Sequence, residues 1–196
     1  MRVVAGLLLA AVLVQAIQAD DSSKKNAITG YGEYALGTPV TELDLSTFTR
    51  MDSPVKGLRL YIKPDELHLS GIIVKPALSL WIGNAGDRTK PEELVGISLL
   101  LTRGDEGVTA QEDVWEVSSE LYSAFLLKYE GELVVGDTFE GNANRPGLLW
   151  LKDKASNHLI LLTRKDTVLV SYGNNSFSLM LLAGIAQSSR KTDDKL

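Results

Sequence analysis

Apolar and polar positions alternate along much of this chain. Leu58, Leu60 and Ile62 are separated by Arg59, Tyr61 and Lys63, a period of two that predicts a half-buried strand suited to a sheet edge. Lys63-Pro64-Asp65-Glu66 reads as a turn with proline at a favoured position. Leu67 to Val74 and Ala77 to Ile82 are the next expected strands, broken by Lys75-Pro76. Asn84 to Asp87 and Lys90 to Glu93 have the composition of a loop. Val95 to Thr102 is a continuous apolar run, which predicts a central strand covered on both faces. Near the end, Leu148 to Lys152, His158 to Thr163 and Thr167 to Tyr172 are three strands with hairpin-length connections. They predict an antiparallel meander.

The period changes between these groups. Thr109-Ala110-Gln111-Glu112 fits a capping box, a hydroxyl followed three residues later by a carboxylate. Val114, Val117, Leu121, Ala124 and Phe125 then recur at helical spacing, with Trp115, Tyr122, Leu126 and Tyr129 as a second row. Together they give the wide apolar face of a helix packed on a sheet. Gly131 stands where a helix stop is expected. Shorter features complete the reading. Gly30 to Gly37 predicts a short strand entering a turn, Thr41 to Leu45 a helical turn, and Leu133 to Val135 a short strand. Gly136 to Gly147 predicts a long loop, and Phe177 to Ile185 a closing strand or core helix. Strands dominate and the helix is not interleaved with them. The expected class is α+β, a mostly antiparallel sheet packed by one main amphipathic helix.

The beginning of the chain has a separate logic. Met1-Arg2 precedes twelve apolar residues, Val3 to Val14, and Gln15-Ala16-Ile17-Gln18-Ala19 ends in a small residue. These are the three parts of a secretory signal peptide, cut after Ala19 or alternatively after Ala16. The apolar run falls short of the roughly 20 residues that span a bilayer. The organisation predicted is a cleaved signal at 1–19, a polar leader at 20–27, one domain at 28–187 and a polar tail at 188–196. The chain is expected to be exported, first to a bacterial periplasm and alternatively to the extracellular space. It has no cysteine, so no disulfide and no lipid attachment by a cysteine thiol. Asn174-Asn175-Ser176 is a glycosylation sequon, relevant only in a eukaryotic secretory route.

Charge and motifs narrow the chemistry. There are 25 acidic residues against 20 basic, a net charge of -5, with no basic run. That argues against nucleic-acid partners and against attachment to anionic lipid. Two histidines without cysteine exclude a Cys/His zinc site. His68, beside Asp65 and Glu66 at a strand entrance, is the candidate acid–base cluster for a hydrolase. His158 follows a turn and precedes an apolar strand. No Gly-x-Ser-x-Gly elbow, phosphate loop or His-Glu-x-x-His helix is present. Gly30-Tyr31-Gly32-Glu33-Tyr34-Ala35 matches a dinucleotide fingerprint only formally, because no strand and helix of the right length flank it. No cofactor is expected. Trp81, Trp115 and Trp150, on three separate elements, are the candidate walls of an apolar ligand pocket, with core packing as the alternative.

Two landmarks carry a resemblance. Leu36-Gly37-Thr38-Pro39 leads to Glu42-Leu43, and the helix ends in Leu126-Leu127-Lys128-Tyr129-Glu130-Gly131. Trp150, Ile160-Leu161-Leu162 and Val168-Leu169-Val170-Ser171-Tyr172 follow in order. The chain resembles small exported bacterial α+β domains in which a helix ends in Lys-Tyr-Gly and a tryptophan strand and a hairpin follow. Glu130, inserted before Gly131, departs from that pattern. The resemblance implies a fold and assigns no functional residue. The expected role is a non-catalytic domain that binds a protein or a small ligand. The alternatives are a hydrolase built on His68, Asp65 and Glu66, and a carrier lined by the tryptophans.

Overall fold

A computed structural model describes residues 26–69, 72–84, 89–102, 111–129, 131–136, 147–164, 166–181 and 183. The expected signal peptide, the capping Thr109, the body of the 136–147 loop and the polar tail lie outside these residues. The small elements come first: β1 (Gly30–Tyr31) and β2 (Tyr34–Ala35) form a minimal hairpin, and Val40–Glu42 is a 3-10 turn. Then follow β3 (Thr49–Met51), β4 (Arg59–Pro64), β5 (Leu67–Leu69), β6 (Ile72–Val74), β7 (Ala77–Gly83) and β8 (Glu93–Thr102). The helix α1 (Gln111–Lys128) leads to β9 (Glu132–Gly136), β10 (Gly147–Lys152), β11 (Asn157–Arg164) and β12 (Thr167–Asn174). Residues 175–181 are helical.

Eight strands form one antiparallel sheet in the order β3-β4-β7-β8-β12-β11-β10-β9. The fold is α+β with a large antiparallel sheet, as the sequence pattern predicts. Each half of the sheet is a four-stranded meander followed by a helix, and the halves join where β8 pairs with β12. The chain leaves the centre at β8 and re-enters at the far edge, β9. The 18 residues of α1 make this crossing. At 1.5 Å per residue they span about 27 Å, enough to cross four strands spaced about 4.8 Å apart.

Two local expectations are corrected. The run 67–74 is not one strand but the hairpin β5–β6, apart from the main sheet, with Leu67 opposite Val74. In sequence the two strands are separated by Ser70-Gly71, a pair with turn chemistry. Nor is β4 the edge strand. It is covered by β3, whose three residues are all exposed and therefore show no apolar alternation.

The two sheet faces are packed differently. Cross-strand partners share a face. Leu78 and Leu80 of β7, Ile97 and Leu99 of β8, Val170 and Tyr172 of β12, and Leu159 and Leu161 of β11 therefore point to one side. Val114, Val117, Leu121 and Phe125 of α1 close over that side as the main core. Each fully buried aliphatic or aromatic side chain contributes about 1.5–3 kcal/mol, so packing outweighs a hydroxyl contact such as Ser118 to Thr163 at 2.6 Å. The rest of this face is covered by the segment 26–48, which inserts Ile28 and Tyr34 and lays Leu36, Val40 and Phe48 against the core. Lys63 pins that segment. Its Nζ donates to the Tyr34 hydroxyl at 2.9 Å and lies 4.7 Å from the centre of the Phe48 ring. This hydrogen bond is the main reason the Lys63 pKa is raised.

Asp153 ties the segment to the opposite end of the sheet. The β10–β11 turn buries its carboxylate, with Ser156 taking the left-handed φ of 64°. One oxygen accepts from the Asn157 amide at 2.8 Å and closes the turn. The other accepts from the Ile28 amide at 3.0 Å, across 125 residues. Asn26 adds a bridge to Tyr129 and donates its amide to the Lys128 carbonyl at 2.8 Å.

The second face carries a smaller cluster of Leu60, Trp81, Val95 and Phe177. Phe177 lies on paired glycines, Gly96 and Gly173, where a Cβ would fall 2.3 Å from its ring. Two stability predictions follow from these contacts. Gly173→Ala should cost about 1–3 kcal/mol through overpacking, and Phe177→Leu in the same chain should recover part of it, read from urea midpoints. Asp153→Ala should cost about 3 kcal/mol and speed amide exchange at Ile28 relative to Leu161.

Candidate functional site

The second face is organised in rows that run across the strands. In the first row Trp81 of β7, Gly96 of β8, Gly173 of β12, His158 of β11 and Lys152 of β10 are successive partners. The helical residues 175–181 sit over this row through Phe177, whose ring centroid is 5.5 Å from that of Trp81. The next row is Ser79, Ser98, Ser171, Ile160 and Trp150. The third is Ala77, Leu100, Leu169, Leu162 and Leu148. In this last row Leu100 is 41% exposed and the other four are half-buried. Beyond it stand the polar partners Thr102, Thr167 and Arg164. The apolar row crosses five adjacent strands and ends in a polar rim. Val95 to Thr102 is central, as its composition predicts, but Leu100 shows that its second face is not fully covered.

The tryptophans divide between the faces. Trp81 is buried, and its indole N–H donates to Ser98 Oγ at 2.9 Å. Trp150 is half-buried on the same face, two strands beyond β12, and donates to His158 Nδ1 at 3.1 Å. Trp115 belongs to α1, which packs on the other face. The three therefore do not line one wall. Among the described residues, two surface hollows measure about 340 and 330 Å³. One is bordered by Gly131, Glu132, Lys152, Asp153 and Lys154, the other by the 26–35 segment, Lys128 and Tyr129, and neither includes a tryptophan.

Of the acid–base candidates, the side chains of Asp65 and Glu66 are described. Asp65 accepts a hydrogen bond from the Tyr31 hydroxyl at 2.9 Å, so its carboxylate serves as an anchor for the 26–48 segment. Burial, then this bond, raises the Tyr31 pKa and keeps the phenol neutral. Glu66 is exposed in the link to β5. The His68 backbone pairs with Ile73 in the β5–β6 hairpin, and its side chain lies outside the described ones. Among the described residues, no group of three His, Asp or Glu could hold a metal ion.

His158 is the histidine that the tertiary structure singles out. It is 2% exposed and stacks with Trp150, ring centroids 5.4 Å apart. Burial is the main cause that holds its pKa below the ordinary 6.5. Lys152 acts in the same direction and Asp153 opposes both. Because Nδ1 accepts from the indole, the neutral ring carries its proton on Nε2. Such an imidazole offers one donor and has no free lone pair for a general base. The sequence contained one signal of this arrangement, the spacing of Trp150 and His158 across a hairpin-length turn. Tyr172 is a further buried group that sequence reasoning placed only as a strand end. Its phenol, packed against Tyr129 and Tyr31, is driven well above 10 chiefly by burial.

No family model, curated protein or solved structure matches this chain.

The lowered pKa of His158 has a direct consequence. The unfolded chain takes up the proton first as pH falls, so stability decreases as pH drops from about 6.5 toward the lower folded value. His158→Asn keeps an acceptor for Trp150 and cannot titrate. Its urea midpoint should change less between pH 7 and 5 than that of the parent chain; equal changes would show that His158 does not carry this dependence.

Proposed function

We propose that this chain is an exported, non-catalytic binding domain of the cell envelope, whose open sheet face receives an amphipathic helix of a partner protein. The signal-like residues 1–19 and the acidic composition support export to the periplasm. The observation that carries the binding role is the row Ala77, Leu100, Leu169, Leu162 and Leu148, with Leu100 41% exposed at the middle of an eight-stranded sheet. Apolar residues gathered in one line with a polar rim are the surface form of a binding site.

A helix is the occupant that suits this surface. Four strand spacings make the row about 19 Å wide, the length of about 13 helical residues. The same face already accepts a helical segment, residues 175–181, through one aromatic anchor. The flanking Thr102, Thr167 and Arg164 suit the polar flank of such a helix. Hydrolysis by Asp65 is less well supported, because that carboxylate is engaged by Tyr31.

Native mass spectrometry of the exported fraction tests this reading. The expected result is a mature chain beginning at Asp20 with a bound polypeptide, crosslinked from position 169 to a helix of that polypeptide. Leu100→Glu should leave the fold within about 0.5 kcal/mol, since the site is partly exposed, and weaken the complex at least tenfold. A bare monomer, or a mass of two identical chains, would count against a helical partner.

A further inference from the structure

Among the described residues, three buried polar groups on the second sheet face have no hydrogen-bond partner, and all belong to residues that neighbour Gly173. They are His158 Nε2, Ser171 Oγ and Ser178 Oγ. His158 is the cross-strand partner of Gly173. Ser171 lies two residues earlier on the same strand and so points to the same side. Ser178, from the overlying helical segment, places its Oγ 3.1 Å from the position that a Cβ on Gly173 would occupy. All three side chains are at most 2% exposed. Buried groups of this kind are ordinarily satisfied, and one left unmade carries the full desolvation penalty of the atom.

We infer that these groups bind a single internal water molecule, which joins the helical segment to β11 and β12. Each bond to this water has one donor and one acceptor. Trp150 occupies Nδ1 of His158, so Nε2–H donates to the water oxygen. The water then donates its two hydrogens to Ser171 Oγ and Ser178 Oγ. Three bonds are what a buried water typically makes. Glycine at 173 is what lets Phe177 and Ser178 approach the sheet this closely, since a Cβ there would meet both the Phe177 ring and Ser178 Oγ. A small anion suits the site less well. Its protein donors are neutral, and burying an uncompensated charge costs more than immobilising a water. A divalent metal would need the Nε2 lone pair, which is protonated. The water complements Phe177. The aromatic ring fills the apolar half of the contact over Gly96 and Gly173, and the water closes the polar half on the His158 side.

A crystal structure of the mature protein at better than about 1.5 Å, with a second crystal soaked in bromide, tests the site directly. The expected result is one oxygen-sized peak within about 3.2 Å of Nε2 and of both hydroxyl oxygens, with no bromide anomalous signal there. Oxygen-17 relaxation dispersion in solution should count one more long-lived water in the parent chain than in the Ser171→Ala/Ser178→Ala double variant. An empty site with the hydroxyls turned onto backbone carbonyls would overturn the assignment. A bromide peak at the position would do the same, by showing an anion site. The crystal of the unaltered chain decides the matter even if the double variant does not fold, and its result is independent of whether a partner helix binds.

Discussion

The antiparallel pairing of β8 with β12 is the constraint on which the rest of the molecule depends. Its register runs from Thr102 opposite Thr167 to Gly96 opposite Gly173. It joins two meanders that are far apart in sequence into one sheet. Without it the first meander would have an open edge at β8, and the second would have one at β12. An open central edge of Leu, Ile and Val residues is a template for aggregation. Because side chains alternate with a period of two, a slip of one residue here would turn Ile97, Leu99 and Leu101 out of the main core. It would also separate Gly96 from Gly173 and remove the floor on which Phe177 rests.

That register creates two faces with different properties. The first is closed by α1 and by the 26–48 segment, and its groups are largely apolar. Its few polar contacts act as fasteners. Asp153 holds Ile28, Asp65 holds Tyr31, and Lys63 holds Tyr34 and Phe48. All three attach the N-terminal segment, which contributes only two short strands and one 3-10 turn of its own. The second face is closed only in part. Phe177 seals one side of it, a serine-containing row crosses the middle, and the leucine row lies at the other side.

The functional reading rests on the asymmetry between those faces. A histidine inside the sheet layer would ordinarily attract a catalytic assignment, but His158 is committed at Nδ1, protonated at Nε2 and buried. It is better suited to holding structure than to moving protons. Leu100 and the half-buried residues of its row have no comparable polar commitments among the described residues. Binding is therefore the role we propose for that surface, while the buried polar groups serve the attachment of the helical residues 175–181.

The sequence by itself determined the period of each main element. Leu78 and Leu80, or Leu159 and Leu161, alternate because a sheet has two sides, and Val114, Val117, Leu121 and Phe125 recur because a helix turns every 3.6 residues. The C-terminal meander was legible for the same reason, with turn residues at hairpin spacing. Local pattern could not reveal β3, whose residues are all exposed, or the division of 67–74 into a separate hairpin. Nor could it show that His158 lies opposite Gly173 with Ser178 close above it, or that Leu100 and Leu148 share a row. Those relations are made by hydrogen-bonded register between distant strands, and register is settled by which faces the whole chain can bury at once. Trp115 and Trp150 look alike as residues, yet the sheet places them on opposite faces. Only tertiary structure decides that, because it depends on which side of the sheet α1 crosses.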